Sequence, residues 1–100
     1  MIVRIIDHAG YFAEDKDAAA LVRTRDLMPV LARNESVTID FSGVRLTTQS
    51  FVHALISEVL RAHGEGVLAL MTFKGCSKLV RGIVETVVQY SLETIDGTDG

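Results

Sequence analysis

The stretch from Val37 to Leu60, VTIDFSGVRLTTQSFVHALISEVL, constrains the fold more than any other part of this 100-residue chain. Val37 to Phe41 is a β-branched, buried-type run that reads as a strand, with Asp40 near its end. Ser42-Gly43 stops the strand, and a short polar connection leads to Thr47-Thr48-Gln49-Ser50. A helix then runs from about Thr48 to Ala62, with Phe51, Val52, Leu55, Ile56, Val59 and Leu60 on one face. His63-Gly64-Glu65-Gly66 closes it, with glycine past the end. A strand feeding directly into an amphipathic helix is the building unit of an α/β sheet.

The flanking segments repeat that unit. Ile2 to Ile6 reads as a strand interrupted by Arg4, and His8-Ala9-Gly10 breaks it. Tyr11-Phe12 forms either a very short second strand or a hydrophobic staple ahead of the next helix. Asp15 or Asp17 caps that helix, and Glu14, Asp15 and Asp17 suit its positive end. Ala20, Leu21, Thr24, Leu27, Met28 and Leu31 fall on one helical face. Pro29 lies inside the pattern, so the helix either kinks or restarts there. Asn34-Glu35 is a turn, and Val44 and Leu46 pack inward from the connection after the Val37 strand. Val67 to Phe73 is almost wholly apolar, as expected of a central strand. Lys74-Gly75-Cys76-Ser77 turns into a third helix with the stripe Leu79, Val80, Ile83, Val84, Val87 and Val88. Ile95 would join a last short segment, with the tail from about residue 94 frayed.

Composition bounds the function. One hundred residues make a single domain, 1–100. The net charge of −3 argues against a nucleic-acid partner. No run is long and apolar enough to span a membrane, and the N-terminus, too short and too acidic after Ile6, does not read as a signal peptide. One cysteine, Cys76, allows no internal disulfide. The expected location is the cytoplasm. Catalytic constellations are missing too. His8, His53 and His63 lack metal-ligand spacing, so neither a metal site nor any cofactor is expected, and Asp40 has no second carboxylate close in sequence.

With the Asp40 and Phe73 strands parallel, two helix starts share one edge of the sheet. Thr47, Thr48, Gln49 and Ser50 come from one start; Lys74, Gly75, Cys76 and Ser77 come from the other. Two positive helix ends, several hydroxyls and a lysine would suit an anion or a partner, although the same hydroxyls are what helix caps require. Gln49, Ser50, His53 and Ser57, three or four residues apart, would form a polar contact row on the Thr48 helix. Arg45 and Lys74 would supply charge at its rim. Cys76 reads either as a thiolate activated by its helix start and Lys74 or as a small half-buried turn residue.

Residues 36 to 52, SVTIDFSGVRLTTQSFV, resemble the core motif of STAS domains, the fold of anti-sigma-factor antagonists. There a strand reading V-x-L-D-L-S-G-V precedes a D-S-[ST]-G motif that opens a helix; Asp40 to Val44, DFSGV, fits that strand end. The chain looks closest to a STAS-like branch of unknown function whose helix start reads T-Q-S-F or S-Q-S-F. FKGCS at Phe73 to Ser77 and the Val84, Val87, Tyr90 spacing agree with that branch. The resemblance implies a bacterial signal-transduction domain with about four strands in a mixed sheet, helices mainly on one face, and the order β(β)αβαβα. It also implies a regulatory, non-enzymatic role and a protein partner of the histidine-kinase-like ATPase or anti-sigma type. The motif departs at its switch: Thr48 stands at the aspartate position, Gln49 at the phosphoserine position and Phe51 at the glycine. Glutamine cannot accept phosphate, which leaves Thr48 or Ser50 as the hydroxyl that would take the modification. Two alternatives stay open. One is a small-anion or nucleotide sensor held between the two helix starts; the other is a minor enzyme using Cys76. A homodimer through Tyr11, Phe12 and the strand edge near Ile2 is a further expectation.

Overall fold

The computed structural model describes the chain from Met1 to Gly97. Its elements run β1 (Ile2–Arg4), α1 (Ile5–Ala9), β2 (Phe12–Ala13), α2 (Lys16–Val22), a wider π turn (Arg23–Leu27) and α3 (Met28–Ala32). They continue with β3 (Val37–Asp40), β4 (Leu46–Thr47), α4 (Gln49–His63), a 3-10 segment (Glu65–Leu70), β5 (Met71–Lys74) and α5 (Lys78–Gly97). Five strands form two small parallel sheets, ordered β1-β3-β5 and β2-β4, in place of the single mixed sheet of about four strands that was expected. In the larger sheet Val3 pairs with Ile39, and Ile39 with Phe73.

The core is centred on α4. All six residues of its expected stripe are completely buried, each contributing about 1.5–3 kcal/mol relative to exposure. Thr48 caps this helix through its hydroxyl, which accepts the Phe51 N–H at 3.0 Å. Asp15, one of the two expected caps, does the same for α2, accepting the Asp17 N–H at 2.9 Å. α4 packs against both α2 and α5. Arg23 reaches across from the π turn and donates to the Ala54 carbonyl at 2.6 Å.

Several expectations are corrected. Ile5 and Ile6 leave the first strand and begin α1, because four apolar residues around Arg4 satisfy a strand and a helical turn equally well. Tyr11-Phe12 resolves toward the strand: Phe12 pairs with Leu46 and Ala13 with Thr47. At Pro29 the helix restarts. Proline has no N–H to offer the preceding turn, the backbone widens over Arg23–Leu27, and Pro29 opens α3. The buried face runs through Ala19 and Val22 in α2 and, beyond the start of the widened turn, Leu27, Val30 and Leu31, leaving Leu21 and Thr24 exposed. Val67 to Leu70 is not a central strand. It coils into the 3-10 segment, only Met71–Lys74 extends, and β5 lies at the sheet edge. Leu79, expected in the last buried stripe, is exposed. α5 continues through residues 94–97, where the tail was expected to begin fraying, and ends at Gly97; the rest of that expected tail, residues 98–100, lies outside the described residues.

Candidate functional site

The parallel ladder aligns Arg4, Asp40 and Lys74 across the C-terminal ends of β1, β3 and β5. Two cations thus flank one carboxylate. Asp40 Oδ1 accepts the Ser42 N–H at 2.8 Å. The Ser42 hydroxyl and then its N–H hold the Asp40 carboxyl below the usual carboxylate range, with Lys74 and Arg4 adding to the effect and burial opposing it. Asp40 is therefore a turn-forming anion: its lone pairs organise the loop after β3. Phe41 donates to the Lys74 carbonyl at 2.8 Å, tying the two loops that follow β3 and β5.

Four of the expected contact residues have internal roles. The Thr47 hydroxyl is buried and donates to the Ala13 carbonyl at 2.7 Å, fastening β4 to β2. Thr48 is half-buried and holds the cap of α4. Ser77 accepts the Val80 N–H at 3.2 Å and caps α5. Ser57 drops out of the exposed row: it is 1% exposed, and its hydroxyl has no hydrogen-bond partner among the described residues. Ser57 lies within about 40° of His53 around the helix but one turn further along α4, where the rest of the molecule covers that face.

Gln49, Ser50 and His53 are exposed and do come together. They line a groove of about 480 Å³ with Lys16, Thr86 and Tyr90, over Ala54 and Val87. The groove thus sits between the first turns of α4 and the middle of α5, with the start of α2 closing one end. Among the described residues its charged lining is Lys16, with no carboxylate, although the chain as a whole is acidic. Amide, hydroxyl and imidazole groups supply the rest of its polar surface.

The second helix start opens elsewhere. Gly75 and Cys76 line a separate depression of about 520 Å³ together with Arg81 and the flank of β5. The two helix starts accordingly do not share one cavity, and His53 and Cys76 lie in different ones. Cys76 is half-buried, and burial, followed by the charge of Asp40, pushes its thiol up against the opposing effect of Arg81. That is the reverse of thiolate activation. Lys74 is exposed at the strand end and lines neither the groove nor this depression. Arg45 stacks over the Tyr11 ring at 5.9 Å.

Lys16, Thr86 and Tyr90 were not singled out as site residues from sequence. They come from two helices distant in the chain from Gln49, and only the packing of α2 and α5 on α4 collects them. The exposed tyrosine at the end of the Val84–Tyr90 spacing was the available signal. Among the described residues no group of three His, Cys, Asp or Glu side chains could hold a metal ion, and no helix is long and apolar enough to cross a membrane.

Searches of curated proteins and of solved structures find no match to the chain. A family model described as a STAS-like domain of unknown function matches residues 18–81, spanning α2 to the first turn of α5. The matched segment contains β3, the DFSGV strand end, the whole of α4 and the loop through Ser77, and the chain belongs to this STAS-like family.

Proposed function

We propose that this protein is a non-enzymatic regulatory module that recognises a protein partner through the groove at the start of α4. The observation that carries the reading is the convergence of Gln49, Ser50 and His53 with Lys16, Thr86 and Tyr90 in one groove whose described lining holds no carboxylate. Hydrogen-bond donors and one cation facing outward from rigid helices suit a protein contact with an acidic or carbonyl-rich patch. The upward shift of the Cys76 thiol and the turn role of Asp40 favour a binding role over a catalytic one. By its STAS-like character the partner is expected to be a histidine-kinase-like ATPase or anti-sigma-type regulator, in a cytoplasmic signalling pathway.

Any phosphate switch would use Ser50. Thr48 is committed to the α4 cap, whereas Ser50 is exposed in the first turn, where added negative charge is favoured by the helix dipole. The sensor reading, with a nucleotide or small anion as the ligand, is the alternative. It is supported by the same donor-rich groove, now without help from the start of α5.

The test is affinity capture with the wild-type chain and with Gln49→Lys and His53→Asp, both exposed positions. A partner retained by the wild type and lost by both variants supports the module. Equal retention by all three chains refutes the groove as the contact surface. A melting shift of several degrees with nucleotides or phosphate would favour the sensor, because ligand binding to the native state raises its stability.

A further inference from the structure

We propose that two copies of this chain join along the free edge of β5, about a two-fold axis at Phe73, so that two three-stranded sheets run on as one. This surface lies on the opposite flank of α5 from the α4 groove, and the inference does not rest on the partner-binding reading.

The hydrogen-bond parity of the sheet comes first. Thr38 donates to the Met1 carbonyl, so Thr38 and Asp40 direct their backbone groups toward β1, while Val37, Ile39 and Phe41 direct theirs toward β5. Phe41 donates to the Lys74 carbonyl, which makes Lys74 and Thr72 the β5 residues facing β3. The backbone groups of Met71 and Phe73 therefore point to the outer edge. Met71 has given its N–H to the Leu68 carbonyl. Phe73 keeps both a donor and an acceptor outward, and a two-fold axis at one residue lets each copy answer both. A longer foreign strand would find only that one fully open residue.

Beside this edge lies an apolar strip. Leu68, Met71, Phe73, Val84, Val88 and Leu92 line a depression of about 420 Å³ that adjoins the one at Cys76 through Met71, Phe73 and Val84. Antiparallel pairing at Phe73 sets Thr72 opposite Lys74 of the second copy and Met71 opposite Gly75, so no like charges face each other. On the same flank of α5, Arg81 and Glu85 stand one turn apart, paired at 3.2 Å and largely exposed. When two such helices run antiparallel, each guanidinium can meet the carboxylate of the other copy. That self-complementary charge pattern selects a second copy over an unrelated apolar segment.

The experiment is sedimentation equilibrium over a wide concentration range, with amide exchange of Phe73 followed in parallel. The expected result is twice the chain mass at high concentration, with the Phe73 amide becoming protected as the dimer forms. Arg81→Glu sets two like-charge contacts across the axis and should weaken association about tenfold. The swapped variant Arg81→Glu with Glu85→Arg should restore it, and circular dichroism should show all three chains equally folded. A monomer at every concentration, a dimer whose Phe73 amide still exchanges freely, or a swap that fails to restore association would each overturn the proposal.

Discussion

Gly75→Ala should be among the most damaging single-methyl changes in this molecule. Gly75 has φ +70, and a Cβ built there would fall on the Ser42 hydroxyl oxygen, 2.8 Å from Ser42 N and 2.9 Å from Ser42 Cα. The hydroxyl can rotate aside, but the backbone atoms cannot yield freely. Ser42 N is held by Asp40 at 2.8 Å, and the neighbouring Phe41 N by the Lys74 carbonyl at 2.8 Å. Two costs add. The left-handed conformation costs a residue bearing Cβ about 1–2 kcal/mol, and forcing two tightly packed loops apart costs about 1–3 kcal/mol. Urea unfolding should place Gly75→Ala about 2–5 kcal/mol below the wild type, the sum of the two costs, and about 1 kcal/mol moves the melting temperature of a domain this size by ~4–8 °C. A loss of no more than about 1–2 kcal/mol, the conformational cost alone, would refute the claim that the Ser42–Gly75 approach ties the β3 and β5 loops together.

Three further outcomes follow from buried or charged groups. Thr47→Val should cost about 1–2 kcal/mol in urea unfolding, because it deprives the Ala13 carbonyl of a buried donor while keeping the shape; a neutral result would remove Thr47 as the link between β2 and β4. Ser57→Ala and Ser91→Ala should be neutral or stabilising, since each hydroxyl is buried without a partner among the described residues, and a loss above about 1 kcal/mol would refute that reading. Asp40 has a lowered folded pKa, so the native state binds fewer protons than the unfolded chain between that value and about 3.9. Its contribution is fully present above that window and is lost as pH falls through the folded value. The stability gap between wild type and Asp40→Asn should therefore close on acidification; a gap that persists unchanged into strong acid would refute the assignment.

Local chemistry was legible along the chain wherever one pattern admitted one solution. The α4 stripe, its Thr48 cap, the DFSGV strand end and the turn after Phe73 each combine periodicity with a stop signal, and all lie where the sequence places them. The 18–81 family match includes that same segment. Ambiguity entered where an apolar run was short or interrupted. Ile2 to Ile6 and Val67 to Phe73 satisfy strand and helix alike, and neighbouring contacts divided each between the two. The π turn before Pro29 could not be read from spacing, because one extra residue in a turn rotates every later side chain.

The groove residues divided in the same way. Sequence alone determined that Gln49, Ser50 and His53 share an early helical face, because 3.6 residues per turn requires it. Tertiary packing alone decided that Ser57 is covered, that Thr47 is spent on β2, and that Lys16, Thr86 and Tyr90 complete the lining. Burial and long-range hydrogen bonding depend on which surfaces meet, and the period of a single helix carries no information about its neighbours.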